Sequence, residues 1–240
     1  DRDPDHGMEA HNRIAELLEE TGARERVVNQ AWDDLSAAYQ RLSQVSGPDG
    51  AAESRVGTVG RHYAASAEFR SIYVDFERFP EVQWTNNDQR NATLLIEDKQ
   101  AELKAIEARC MELISTYQDF EYTSAALYVA GTAYLLYSDM IYNAPKPAGL
   151  DYEEIELYEE QISEFRIPVE DKGKARLQAN LDKAKEEGRW SPWMTRTLGE
   201  LSERFPAEYA EEKPEVRGEV ESNYVPSAGA INIRESEETQ

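Results

Sequence analysis

The sequence predicts an all-α protein, and three observations carry that expectation. Glycine and proline are sparse, 13 and 10 in 240 residues, which suits long helices better than the many turns of a β-sandwich. Apolar residues recur at alternating three- and four-residue steps over 28–45 and again over 92–117, the period of a single buried helical face. The segment over 126–134 sets small residues and tyrosines at helix-packing intervals, with Leu127, Gly131 and Tyr134 at i, i+4 and i+7 on one face. Glycine costs a helix about 1 kcal/mol relative to alanine, so Gly131 is best explained by a neighbouring helix too close for any side chain. The plainer alternative is a buried helix that tolerates the glycine.

The elements follow in order. Residues 1–7 read as a polar lead-in, after which Ile14, Leu17 and Leu18 begin a short amphipathic helix that pauses near Gly22. The next helix carries Val28, Ala31, Leu35, Ala38, Leu42 and Val45, a seam that needs a partner along its length. Ser46-Gly47-Pro48-Asp49-Gly50 ends it, and the expected partner is a helix over about 51–79 presenting Val56, Tyr63, Phe69, Tyr73 and Phe76. Pro80 and residues 84–88 separate this pair from a helix of about 30 residues, roughly 45 Å long. Asn86 or Asn87 caps it. Its seam is Ala92, Ile96, Lys99, Leu103, Ile106, Cys110, Leu113 and Tyr117, with Lys99 expected to snorkel to water.

A break over 118–122, with Thr123 as N-cap, leads into the Gly131 helix, which runs to about Tyr142. Pro145 and Pro147 bar its continuation, making 143–149 an ordered loop. Asp151 and Glu154 form a capping-box-like start for a helix carrying Ile155, Tyr158, Ile162 and Phe165. Pro168 then fits the first turn of a further helix, with Glu170 and Asp171 near its positive end, Lys183 and Lys185 near its negative end, and Gly188 as its cap. Ser191-Pro192 starts the last one, with Trp193, Leu198, Leu201 and Phe205 apolar and Pro206 as its stop. After Tyr209 the chain turns acidic and aperiodic, so 210–240 reads as an extended or disordered tail with a short apolar patch at 228–233. Three regions result: irregular helical pairs over 1–80, helical repeats over 88–206, and the tail.

Charge narrows the function. Asp and Glu number 48 against 26 Lys and Arg, a formal −22, and such a field repels the phosphate backbone that dominates nucleic-acid affinity. Nucleic acid and anionic membrane are therefore not the expected partners. Arginine outnumbers lysine 18 to 8, a balance that fits either a saline habitat or a GC-rich genome. The single cysteine, Cys110, forms no internal disulfide and reads as a small buried hydrophobe. The apolar runs at 94–96 and 125–136 fall short of the ~20 residues of a membrane span. The chain opens at Asp1 without a signal-like apolar region, which reads as a processed or trimmed piece that a signal peptide once preceded.

Leu127, Gly131 and Tyr134 on one helix, and Leu177, Leu181 and Ala184 followed by Phe205-Pro206, together resemble the tetratricopeptide repeat. That family places a bulky residue, Leu-Gly and Tyr on its first helix and Ala, Phe and Pro on its second; here Ala130 replaces the Leu before the glycine. No clean 34-residue repeat is present, and the 88–117 helix is about twice the usual length. The resemblance therefore implies a divergent solenoid of stacked antiparallel helix pairs. The wider pattern, Ala-Leu-Tyr-x-x-Gly-x-Ala-Tyr, Tyr-Asn-Ala-Pro-Lys-Pro-x-Gly-Leu and Pro-x-Glu-Asp-Lys-Gly, is similar to bacterial cell-envelope tetratricopeptide proteins, including some associated with gliding motility. A periplasmic or cell-envelope location follows from that likeness, with a cytoplasmic one as its alternative.

Motifs of the common enzyme classes do not occur: there is no glycine-rich phosphate loop, Gly-x-Ser-x-Gly, His-Glu-x-x-His or Cys-x-x-Cys. Asp1, Asp3 and Asp5 alternate like the start of a calcium loop, but His6 stands where its glycine belongs and Asn12 where its bidentate glutamate belongs. Asp5, His6, Glu9 and His11 read as a solvated terminus rather than a metal cluster. Acid pairs such as Glu19-Glu20, Glu153-Glu154 and Glu186-Glu187 point to water. No catalytic, cofactor or metal residue is expected. The reading is a non-enzymatic scaffold whose groove over 88–206 takes a basic or amphipathic protein or peptide. Tyr128, Tyr137 and Tyr142 are the candidate contact residues, and the alternative for them is the core. A coiled-coil-like oligomerisation module is the runner-up function, followed by an all-helical metal-binding or enzymatic domain.

Overall fold

The computed structural model describes residues 3–43, 45–46, 52–53 and 56–209. The order is α1 (Pro4–Glu20), α2 (Glu25–Ser43), β1 (Val45–Ser46), β2 (Ala52–Glu53), α3 (Thr58–Arg78), α4 (Asp88–Thr93), a π-helical segment (Leu94–Lys99), α5 (Gln100–Tyr117), α6 (Phe120–Tyr142), α7 (Tyr152–Glu187), α8 (Pro192–Arg204) and α9 (Pro206–Tyr209). The all-α class holds, with one two-residue antiparallel hairpin, β1 on β2. Among the described residues no helix is long and apolar enough to cross a membrane. The expected tail over 210–240 and its 228–233 patch lie outside the described residues.

Several expected boundaries move. The amino-terminal helix begins at Pro4, because Asp3 accepts from the Asp5 amide at 3.0 Å and proline suits a first helical turn. Its buried face is Met8, Asn12 and Ala15, while Ile14 and Leu17 are exposed. The α2 seam is used within the chain: Val28, Ala31, Leu35 and Ala38 are buried in one core with Met8, Ala64 and Ala67 of α1 and α3. Val45 belongs to β1, and α3 starts at Thr58 rather than near 51. Asp5 positions that start, its Oδ1 accepting the Gly57 amide at 2.7 Å.

The 88–117 helix is continuous but contains a π turn, which moves its buried face. Asn87 caps it by accepting from the Arg90 amide at 2.9 Å. A π-helix closes i→i+5 bonds and turns less per residue, so the buried positions there are Asn91, Leu95 and Lys99, four apart. Ala92 and Ile96, the expected core residues, are exposed. After the π segment the expected seam resumes with Leu103, Ile106, Cys110 and Leu113. Lys99 does not snorkel free to water: it is buried, its Nζ donating to the Phe79 carbonyl at 3.0 Å and to the exposed Glu102 carboxylate at 2.7 Å. Cys110 is fully buried, and burial pushes its thiol up to about 12.

Two further corrections concern α6 and α7. Asp119, not Thr123, caps α6, accepting from the Tyr122 amide at 3.1 Å, and Thr123 is buried in the first turn. The two helices expected on either side of Pro168 are one 36-residue helix, with Pro168 inside it. The predicted capping box at Asp151 and Glu154 is formed, at 2.9 Å in both directions, and Gly188 ends the helix in the left-handed region. Proline at 168 removes one amide and leaves the Glu164 carbonyl without its helical donor. The helix continues through the proline, with Ile162 before it and Val169 after it both packed against the main core.

Helix α6 is the centre of the fold. Its main neighbours are α3, α5, α7 and α8, and it is buried nearly all round. The closest approach is to α7, antiparallel, where Gly131 meets Gly173. A Cβ on Gly131 would stand 2.7 Å from two Leu177 carbons and 3.0 Å from the Gly173 carbonyl oxygen; one on Gly173 would stand 2.9 Å from the Gly131 carbonyl oxygen. Leu177, Leu181 and Leu201 extend that contact toward α8, with Phe205 packed half-buried against them. Ala184 is buried further along α7, Tyr134 is buried, Leu127 is half-buried, and Pro206 opens α9 at the surface. The cores cross the expected boundary near residue 80, since α3 contributes Ala64 and Ala67 to the first and Phe69 to Phe76 to the second.

Overpacking a core crossing costs about 1–3 kcal/mol, more than the roughly 1 kcal/mol that alanine gains over glycine in a helix. Gly131→Ala is therefore expected to destabilise in a urea titration despite its better propensity, and Gly131→Leu more so. A neutral Gly131→Leu would mean that the α6–α7 crossing relaxes freely.

Candidate functional site

One end of the fold holds a pocket of about 480 Å³ lined by α3, the α5–α6 corner and the end of α7. Local sequence builds the corner. Helix α5 ends as Gln118 takes a left-handed conformation, φ 50°, and its amide bonds the Ile114 carbonyl at 3.2 Å. Asp119 follows at once as the α6 cap. That tight reversal aims Asp119 back at α3, where its second oxygen lies 3.0 Å from Nδ1 of His62. His62 also packs against the rings of Tyr63 and Tyr122 at 5.8 and 5.1 Å.

The pocket is of mixed charge. Arg61, Lys183 and Arg189 line it together with Asp119 and Glu187. Lys183 reaches Glu187 at 2.7 Å, and the Arg189 guanidinium lies 4.0 Å above the Phe120 ring. Burial works against the His62 imidazolium, but the Asp119 hydrogen bond and the charges of Asp119 and Glu121 outweigh it and raise the His62 pKa. Burial likewise opposes the Asp119 carboxylate, and the His62 bond with the amide of Tyr122 overcomes it and holds its pKa low. Burial raises the Glu121 pKa, and the charges of His62 and Arg189 do not overcome it. The arrangement therefore favours the protonated form of His62, set beside Asp119 and near Glu121.

The tyrosines expected at a partner surface separate. Tyr137 is 1% exposed and its hydroxyl donates to the Leu95 carbonyl at 3.0 Å, so it is core and offers nothing to a partner. Tyr128 is half-buried against Trp193 at 5.5 Å, within a ribbon of rings that includes Phe69 and Tyr73. Tyr142 is exposed, with the Arg166 guanidinium 5.1 Å from its ring centre. Tyr134 is buried, and its hydroxyl donates to Glu107 at 2.6 Å, while Arg176 of α7 holds the other oxygen at 2.8 Å.

At the amino terminus Asp3, Asp5 and His6 have structural partners: Asp3 caps α1 and meets His6 at 3.1 Å, and Asp5 holds Gly57. Among the described residues no group of three or more His, Cys, Asp or Glu is placed to hold a metal. Sequence reasoning missed His62 with Asp119, whose partners stand 57 residues apart; only the Asp of Gln-Asp-Phe-Glu, a stronger cap than Thr123, hinted at one member. Compared with protein families, curated proteins and solved structures, the chain matches none.

The His62–Asp119 pair makes stability depend on pH. A raised histidine pKa contributes stability that is full below the unfolded value near 6.5 and fades as pH rises through the folded value. A lowered aspartate pKa contributes stability that is present above 3.8 and fades on acidification through the folded value. The advantage of the native chain over His62→Gln in urea titrations is therefore expected to be largest near pH 5–6 and to shrink from pH 6.5 upward. An advantage that is constant from pH 5 to 8 would show that the imidazolium is not what Asp119 holds.

Proposed function

We propose that this chain is a non-enzymatic helical scaffold that binds protein partners, built as a divergent tetratricopeptide-like array and working in the bacterial cell-envelope setting that the sequence resemblance implies. The observation that carries the reading is the order of packing. Counting α4, the π segment and α5 as one helix, every second helix packs on the two that follow it: α1 on α2 and α3, α3 on α5 and α6, α6 on α7 and α8. Nearest-neighbour stacking of this kind is how repeat proteins build long surfaces for other chains. The formal −22 adds a preference for cationic ligands.

The oligomerisation alternative is less favoured, because both sequence seams are spent internally. Val28 to Ala38 pack in the α1–α3 core, and Leu103 to Leu113 pack against α3 and α6. Cross-linking of the full chain in its native source, read by mass spectrometry, is the test. The expected result is one recurring partner, linked through a Lys- and Arg-rich segment and recovered less as salt rises. Cross-links only between copies of the chain would replace the scaffold reading with the oligomerisation one.

A further inference from the structure

The amino-terminal half of α7 has no buried residue from Tyr152 through Lys172. The antiparallel crossing explains why. Gly131 lies opposite Gly173, and α6 runs only 11 residues beyond it, about 17 Å, whereas α7 runs 21 residues back from Gly173, about 32 Å. Roughly 15 Å of α7 therefore stands clear of the end of α6. Its inward side, Ile155, Tyr158, Ile162 and Val169, is half-buried, and Ile162 and Val169 touch the main core.

A second apolar stripe faces away. Leu157, Phe165 and Pro168 stand at i, i+8 and i+11 and so share a face, with the polar Gln161 between the first two. Leu157 is 55% exposed and Phe165 44%. Beside it runs an acidic stripe of Glu153, Glu160 and Glu164, all exposed and, among the described residues, in no ion pair. Over 152–171 there are eight acids against the single Arg166, a formal −7. A soluble helix usually buries its apolar stripe, and here the stripe is open with unpaired charge of one sign along its edge.

Resting on the scaffold reading, we propose that this stripe is the docking surface and that its occupant is a cationic amphipathic helix of a partner protein, apolar face on Leu157 and Phe165, lysines or arginines on Glu153, Glu160 and Glu164. Charge selects that occupant. A second copy would bring the same acids face to face, and an anionic lipid surface would be repelled. Helix-on-helix docking uses apolar anchors on one face, and this stripe supplies two, Leu157 and Phe165, two turns apart.

The test uses the full chain and a fluorescent leucine–lysine amphipathic peptide of about 18 residues, roughly 27 Å as a helix, with a leucine–glutamate peptide as control. The cationic peptide is expected to bind, and Leu157→Ser with Phe165→Ser to weaken it at least about tenfold. Glu153→Lys, Glu160→Lys and Glu164→Lys together should weaken it and flatten its salt dependence. Ile96→Ser, at an exposed apolar residue elsewhere, should leave it unchanged; circular dichroism checks that every variant stays folded. Equal binding by the native chain and both variant sets, or no binding by the native chain, overturns the placement on α7. So does a dimer in light scattering that Leu157→Ser with Phe165→Ser converts to a monomer, since a second copy would then cover the stripe. The peptide-binding outcomes leave the cross-linking result untouched, so this proposal and the scaffold reading fail separately.

Discussion

The fold depends on the contact between Gly131 of α6 and Gly173 of α7. With no side chain on either residue, each helix sets its glycine against the other's backbone carbonyl, and Leu135 and Leu177 close over the gap. That depth of approach makes α6 a buried axis rather than one face of an amphipathic pair. It also sets the register of α7, so that Asn180 lies beside Ser124: its amide donates to the Ser124 carbonyl at 3.0 Å and to the Thr197 hydroxyl at 2.8 Å. Ser124 and Ser191 then share a hydrogen bond at 2.8 Å, joining α6 to the start of α8. Buried polar groups of this kind cost a fold heavily unless partnered, and here a register fixed by two glycines supplies partners for the Asn180 amide nitrogen and the two serine hydroxyls, while the buried Asn180 Oδ1 has none.

Around that axis the scarce cations are spent between helices. Arg109 of α5 holds Glu68 and Asp75 of α3, Arg70 of α3 reaches Glu19 of α1, and Arg204 of α8 grips Asp139 of α6 with two bonds of 3.0 and 2.7 Å. Exposed pairs of this sort contribute little stability singly, but they take arginines out of the protein's outward field. What is left facing water is largely acid, and it is densest where α7 leaves the body of the fold.

Much of the helix pattern was legible because capping and hydrophobic period are local. Asn87, the Asp151–Glu154 box, Gly22 and Gly188 act within a turn of their own positions. The π segment was not legible, since Ala92 and Ile96 fit an α-helical period as well as Asn91 and Leu95 fit the π one. The clamp that decides between them, Asn91 bonded to the amide and carbonyl of Thr85, is a contact of the folded loop. Pro168 misled for a similar reason: a proline suits a helix start locally, and only the lack of any turn around it in the tertiary path makes it an interior residue.

The sequence by itself determined the all-helical class, the anionic field and the α2 seam, and pointed to a close neighbour at Gly131 with a tolerated glycine as the alternative, because each follows from composition or from spacing along one chain segment. The tertiary structure decided which helix that neighbour is, that Tyr137 is core, that Lys99 is held inside, and that His62 meets Asp119. It also decided that 152–169 carries an open stripe. All five are contacts or exposures set by residues distant in sequence, and spacing within one helix gives a face its chemistry without saying what, if anything, covers it.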